Sequence, residues 1–213
     1  MVDSFISRKA CNSYILKDEQ NNALLVDPGY DANHALLDHI EKLGVNITAI
    51  LISHGHYDHI DALESILIKF PNAITYISED EVELLSNPKL NISAFREDGS
   101  TKLCNFVPKN LVLLQDNEII NILGYKIKMI KTPFHTKGSC CYYLEDENTL
   151  FSGDTLFFTT IGRSDLPTGS EKTISSSLSK LIKLPDETKV YPGHGVYTTL
   201  GREKKYNAYL RNI

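Results

Sequence analysis

Six residues, His54-Gly-His56-Tyr-Asp58-His59, follow directly on the apolar, β-branched run Ile47 to Ile52 and Ser53. Three imidazoles and a carboxylate crowded into one loop are repulsive or wasteful unless a cation holds them. The chain must therefore fold so that a buried strand delivers this loop to a place where a cation can sit. In an extended segment, residues i and i+2 project to the same side, so His54 and His56 can grip one ion together. Asp58 and His59 stand at the turn into the next helix, aimed elsewhere, and can serve a second ion nearby. Nitrogen and oxygen donors without a cysteine suit zinc, iron or manganese.

One loop cannot complete a metal site, and three more residues occupy similar settings. His135 follows a predicted strand, Tyr125 to Lys131, and the turn residue Pro133. Asp154 follows Thr149 to Ser152 and Gly153, and His194 follows Lys189 to Tyr191 between two glycines. Sites of α/β proteins gather at the carboxyl ends of strands, so four strand ends can converge on one cleft. Asp154 can bridge two ions through its two oxygens. Of the seven histidines, His34 and His39 lie on a predicted helix, Asp31 to Leu43, without ligand-like neighbours, and read as surface or packing residues.

Around these residues the pattern predicts strands at Asn12 to Leu16, Ala23 to Asp27, Ala73 to Ile77, Leu111 to Leu114 and Ser139 to Glu145. Helices are expected at Ile60 to Phe70, at Thr173 to Leu184, at Arg202 to Leu210, and briefly from a capping box at Ser78-Glu-Asp-Glu81 toward Leu85. Asn87 to Phe106 is the least periodic stretch and reads as a loop or lid. Tight turns between some strands favour a layered α/β domain over a purely parallel sheet.

Composition narrows the function classes. At 213 residues, with 42% hydrophobic and 23% charged residues, the chain is of ordinary globular make-up, one generous domain or two small ones. No apolar run is long enough to span a membrane, and Met1 to Tyr14 carries no secretory or transit pattern. The net charge of −5, without a basic stripe, argues against nucleic acid as a partner. Cys11, Cys104, Cys140 and Cys141 show no C-x-x-C spacing, so reduced thiols in the cytoplasm are expected. Cys140 and Cys141 would face opposite sides of a strand, and their apolar setting favours packing over a nucleophilic role with His135. Neither a P-loop nor a G-x-S-x-G elbow occurs.

The set His54-x-His56-x-Asp58-His59, His135, Asp154 and His194 resembles the metallo-β-lactamase-fold superfamily. Asn87-Pro-Lys-Leu-Asn-Ile-Ser93, Ser152-Gly-Asp-Thr-Leu156, Gly162-Arg-Ser-Asp-Leu-Pro167 and Tyr191-Pro-Gly-His-Gly195 are similar to its short, glyoxalase II-like hydrolases. The resemblance implies a four-layer αββα sandwich, one α/β domain over residues 1–213, with the metal site at one edge of the sheets. It implies two divalent ions, zinc with iron or manganese as alternatives. His54, His56 and His135 would bind the first ion, Asp58, His59 and His194 the second, and Asp154 would bridge. Hydroxide generated between the ions would attack an acyl carbon, with Asp58 and Asp154 acting through it. The implied substrate is a small-molecule thioester, glutathione-linked in the longer relatives; no nucleic acid and no membrane take part.

Arg163 is the candidate contact for a substrate carboxylate, against a loop-ordering pair with Asp165, and Tyr57 is a candidate cleft residue. Departures from the pattern are Ser53, Phe134 in a place usually held by glycine, Asp61-Ala62, and Ala208. Only 18 residues follow Gly195, so the helical region that helps longer relatives hold glutathione has no counterpart. Alternatives of the same fold stay open: a persulfide dioxygenase with one iron on His54, His135 and Asp154, or a hydrolase of lactones or phosphodiesters. A non-catalytic metal-binding module is the alternative of another class, and a β-lactamase proper would be expected to carry a secretory signal.

Overall fold

Along Leu24-Leu25-Val26 and Ala49-Ile50-Leu51-Ile52 every side chain is apolar and every one is buried, so both faces of these strands must be covered. The computed structural model describes all residues except 1, 7–10, 30–33, 97–99, 101 and 212, and gives only the backbone of residues 2–4 and 6. Its strands and helices run β1 (Val2–Ile6), β2 (Asn12–Lys17), β3 (Asn22–Val26), α1 (Ala35–Leu43), β4 (Asn46–Ile52), α2 (Tyr57–Ile60), α3 (Leu63–Lys69), β5 (Ile74–Ser78) and α4 (Val82–Ser86). There follow β6 (Leu111–Leu114), β7 (Ile119–Ile122), β8 (Tyr125–Lys131), β9 (Cys140–Leu144), β10 (Thr149–Gly153), β11 (Leu156–Phe157) and β12 (Thr160–Ile161). The chain closes with α5 (Ile174–Leu181), β13 (Lys189–Pro192), β14 (Thr198–Thr199) and α6 (Leu200–Tyr206).

Two six-stranded sheets result, ordered β1-β2-β3-β4-β5-β6 and β14-β13-β10-β9-β8-β7, with β11 and β12 paired separately. In the first, β3 to β6 pair in parallel; in the second, only β10 and β13 do. Alternation along the strands sorts apolar side chains into three layers. Ile15, Leu25, Ile50 and Ile52 pack with Leu36, Ile40, Leu63 and Ile66 of α1 and α3. Leu24, Val26, Leu51, Met129, Tyr142 and Phe151 fill the space between the sheets. Ile130, Cys141, Tyr143, Leu150 and Val190 meet Leu178, Leu181 and Leu200 of α5 and α6. Helix, sheet, sheet, helix is therefore the layer order, the αββα sandwich that the resemblance implied. Cys140 lies in the middle layer and Cys141 in the outer one, on opposite faces of β9 as expected.

Several elements differ from the sequence pattern. The helix expected over Ile60 to Phe70 starts later, as α3 at Leu63, and a separate short helix, α2, precedes it and ends at Ile60; the two do not merge because the Ala62 N–H donates to the Pro28 carbonyl. The start of the helix at Asp31 lies outside the described residues; α1 is seen from Ala35. Ser78 makes no capping bond, so the capping box does not form, and a 3₁₀ turn at Glu79–Glu81 leads into α4. The last helix begins two residues early, at Leu200, where the Thr199 hydroxyl accepts from the Arg202 N–H. No helix among the described residues is long and apolar enough to cross a membrane.

The carboxyl ends of β4, β8, β10 and β13 meet at one edge of the sandwich. The Cys140 N–H donates to the Ser53 carbonyl at 3.0 Å, the Gly193 N–H to Gly153 at 2.8 Å, and the Asn12 N–H to Gly193 at 2.6 Å. The first and third of these bonds join the two sheets, and the second extends the pairing of β10 with β13, where the histidine-bearing loops leave them.

Candidate metal centre

β4 ends in an all-apolar buried run, so Ser53 and His54 emerge already fixed against the sheet, and α2 begins as soon as the loop has turned. His54, His56, His59, His135 and Asp154 are buried, and Asp58 and His194 are partly exposed beside them. His56 Nδ1 lies 2.9 Å from His135 Nε2, and His59 Nε2 lies 3.4 Å from His194 Nε2. Asp154 stands between the two groups: Oδ2 is 3.4 Å from His135 Nε2 and Oδ1 is 3.3 Å from His59 Nε2. Asp58 Oδ2 is 3.2 Å from His194 Nε2 and 3.9 Å from His59 Nε2. Donors around a tetrahedral zinc, at bonds of about 2.0–2.1 Å, stand about 3.3–3.4 Å apart. The observed spacings bracket that value.

Two further observations fit a cation. His54 Nε2, His56 Nε2 and Asp154 Oδ1 are buried polar atoms without a hydrogen-bond partner, a costly state for a protein interior. Three sets of donor atoms close enough to share an ion are present among the described residues: His54–His56–His135, His54–His59–Asp154 and Asp58–His59–His194.

Neighbouring groups fix the ring tautomers. His135 Nδ1 donates to the Arg163 carbonyl at 2.7 Å, and His59 Nδ1 donates to Asp27 Oδ2 at 3.0 Å, which leaves both Nε2 lone pairs facing the centre. His54 Nδ1 lies 3.1 Å from the Ser53 hydroxyl. Burial, then the nearby imidazoles, push His54 well below its ordinary pKa, and burial and His135 bring His56 down to about 3. Both rings are therefore neutral and able to bind metal at pH 7. Burial works against charge on His59 and His194 too, but Asp154 and Asp58, with Cys11 and Asp27 at His59, carry both upward. Burial would also raise Asp154 and Asp58, yet His59 and His194 hold both carboxyls below the usual range.

Gly193 shows how closely the strand ends approach: a Cβ there would run into the Asp154 carboxylate and the His59 ring. Asn12 Nδ2 donates to the carbonyls of Pro192 and Gly195, and the Tyr14 hydroxyl donates to Pro192, seating the loop that carries His194.

Two residues were not singled out by sequence reasoning. Asp27, read there only as a strand end, accepts from the Ser53 N–H and hydroxyl, both at 2.7 Å, as well as from His59. Its backbone is left-handed, φ 50°, and the Pro28-Gly29 that follows it was the one signal the sequence offered. Glu81 is fully buried against the loops of His56 and His135; the sequence offered it only as the last residue of a capping box.

Tyr57 and Arg163 line one cleft of about 540 Å³ with Ile92, Phe95, Leu166 and Pro167. The Arg163 guanidinium, however, is exposed and pairs with Asp165 at 2.6 and 2.7 Å, the loop-ordering alternative. Tyr57 lies under the Arg96 guanidinium, 4.5 Å from its ring centre. Phe134 has no positive φ; it is buried beneath α5, so the departure from glycine costs no backbone strain. The Cys140 thiol is pushed well above its ordinary pKa by burial and that of Cys141 to about 11, which leaves both inert. His34 sits at the position before α1 without a side-chain capping bond, and His39 packs 5.5 Å from Phe5; neither joins the cluster.

Residues 6–194 match the Metallo-beta-lactamase superfamily. Hydroxyacylglutathione hydrolase GloC of Haemophilus influenzae is 32% identical over 94% of this chain and 93% of its own length. A probable metallo-hydrolase of Streptococcus pyogenes is 34% identical over 93% of this chain and 85% of its own. Among solved structures, the BLEG-1 B3 metallo-beta-lactamase superposes with a TM-score of 0.89 at 33% identity over 99% of both chains. A protein in a di-iron-bound form superposes at 0.83 with 29% identity, over 99% of this chain and all of its own.

Proposed function

From a chain that belongs to the metallo-beta-lactamase superfamily and is similar to a hydroxyacylglutathione hydrolase and a probable metallo-hydrolase, we propose a thioesterase of small hydroxyacyl-thiol substrates acting through two divalent ions. One observation carries the reading. Asp154 reaches both donor sets with one carboxylate: Oδ2 lies 3.4 Å from His135 Nε2 and 3.5 Å from His194 Nε2, and Oδ1 lies 3.3 Å from His59 Nε2. His54, His56 and His135 would hold the first ion, and Asp58, His59 and His194 the second. Bound zinc, or iron or manganese, supplies Lewis acidity, which lowers the pKa of water toward 7 and polarises a carbonyl.

The protein's own groups prepare that chemistry. Asp27 and the Arg163 carbonyl keep His59 and His135 in one tautomer, and Asp58 and Asp154 balance cationic charge. The cleft beside Tyr57 and Arg163 receives the substrate body on Ile92, Phe95, Leu166 and Pro167. A thiolate leaves without help from a strong general acid, and no such acid is required of the chain. GloC supports an acyl-glutathione substrate; the pairing of Arg163 with Asp165 occupies the guanidinium that would otherwise meet a glutathione carboxylate.

The similarity to BLEG-1 favours lactam hydrolysis as a second reading on the same centre. The test is to purify the protein without added metal, measure its metals, and assay a lactoylglutathione-type thioester, a smaller thioester, a β-lactam and glutathione persulfide. Two ions per chain with thioester turnover, lost in His56→Ala, is expected. Turnover of the β-lactam alone would establish the second reading. A single iron with oxygen uptake on persulfide would overturn both, and metal without turnover would mark a binding module.

A further inference from the structure

Ser78-Glu-Asp-Glu81 has the pattern of a capping box, in which Glu81 would reach back to the helix start, and Glu79 and Glu83 beside it are exposed. Glu81 is not: it is 0% exposed, at the end of the 3₁₀ turn that joins β5 to α4. Its Oε2 accepts from the Gly55 N–H at 2.7 Å. Its Oε1 accepts from the Gly138 N–H at 2.8 Å and from the Thr136 hydroxyl at 2.7 Å. Gly55 is the residue between His54 and His56, and Thr136 and Gly138 directly follow His135. Burial pushes the Glu81 carboxyl up to about 7, while the three donors and Lys137 work in the opposite direction. A carboxylate hidden this deeply costs stability unless its bonds repay the lost solvation. All three recorded bonds end on the two histidine loops. The approach is close, since a Cβ on Gly55 would strike the Leu84 Cβ.

We propose that Glu81 is a positioning residue for the first ion: its carboxylate ties the backbone between His54 and His56 to the backbone behind His135, and so sets those rings against each other. Glu81 touches no substrate and no reacting atom. It acts on the spacing of His56 Nδ1 and His135 Nε2, 2.9 Å in this structure. Asp58, His59 and His194 are seated by other means, with Asp27 bonded to His59 and Asn12 and Tyr14 holding the loop of His194. A defect at Glu81 is therefore confined to one ion. The inference rests on the two-ion reading, and its test separates the two.

Glu81→Gln keeps the shape but turns one acceptor into an N–H₂ donor, which must face either the Gly55 N–H or the Gly138 and Thr136 donors. Each ion can be isolated first: His194→Ala leaves the first donor set intact, and His56→Ala leaves the second. Zinc affinity of the metal-free proteins is then measured by competition with a chromophoric chelator. In the His194→Ala background, Glu81→Gln is expected to weaken zinc about 10–100-fold, the range for losing a partner that orients ligands. In the His56→Ala background it should change affinity less than threefold. Thr136→Val, which removes one of the three donors and leaves Glu81 itself in place, should give a smaller loss with the same selectivity. Equal losses in both backgrounds, or none in either, would overturn the proposal while leaving the two-ion reading standing. Failure of the unsubstituted protein to take up zinc would overturn both.

Discussion

Asp27 carries three hydrogen bonds on one carboxylate, from the Ser53 N–H, the Ser53 hydroxyl and His59 Nδ1. Removing it strands buried donors at about 1–3 kcal/mol each and frees the His59 ring to rotate. Asp27→Ala is therefore expected to weaken the ion on Asp58, His59 and His194 by about 10–100-fold. Zinc competition in the His56→Ala background reads that loss; an affinity within twofold of the parent would count against it. Phe134 makes a different point. It is buried with Leu178 and Leu181, and Phe134→Ala should cost about 3–5 kcal/mol in urea denaturation of the metal-free protein. The ligand residues were legible because imidazole and carboxylate crowding has few uses without a cation. Asp27 and Glu81 were not, because each acts on partners 26 or more residues away, and a lone carboxylate in a turn looks alike whether it faces water or protein.

At the scale of elements, the segment between α4 and β6 is attached to the metal centre through buried charge. Arg96 and Asp61, both nearly inaccessible, pair at 3.0 Å, and Lys102 lies 3.2 Å from the same oxygen. Arg96 also covers the Tyr57 ring inside the hexad. Breaking a buried pair typically costs about 3–5 kcal/mol, and Lys102 softens that here. Arg96→Ala should destabilise by less than this range and raise KM more than it lowers kcat, because Tyr57 and Phe95 line the cleft while the donor sets stay in place. A large fall in kcat at unchanged KM would contradict that assignment. The buried apolar run of β4 was readable from sequence, and the bounds of Leu111–Leu114, a short edge strand, and of the alternating Tyr125–Lys131 also match those predicted. The misses are of two kinds. β1, β7, β11, β12 and β14 are short or lie at sheet edges, where packing is one-sided and apolar pattern thin. The break between α2 and α3 comes from a tertiary bond to Pro28, which no local periodicity encodes.

Across the whole molecule, three apolar layers hold two sheets in register, and the metal edge is where that packing gives way to polar groups. Ligand binding to the folded state alone adds about 4 kcal/mol at a thousand times Kd. For a chain of this length that is about 8–16 °C in Tm per ion, so chelation should lower Tm by that order and abolish hydrolysis, and zinc should restore both. The pH dependence follows from the imidazoles. His54 and His56 have depressed pKa values, so they stabilise the metal-free fold above 6.5, an effect lost as pH falls, for His56 down to about 3. His59 and His194 are raised: their contribution is complete below 6.5 and is lost as pH rises through their folded values. In the metal-free protein these trends oppose each other. Zinc needs every ring neutral, so its binding competes with protons on His59 and His194, whose pKa values are raised. Calorimetry in buffers of different ionisation enthalpy should then give apparent binding enthalpies that change with buffer, and the Tm increment from zinc should shrink between about pH 7 and pH 5. A buffer-independent enthalpy would mean that the ion does not sit on these histidines.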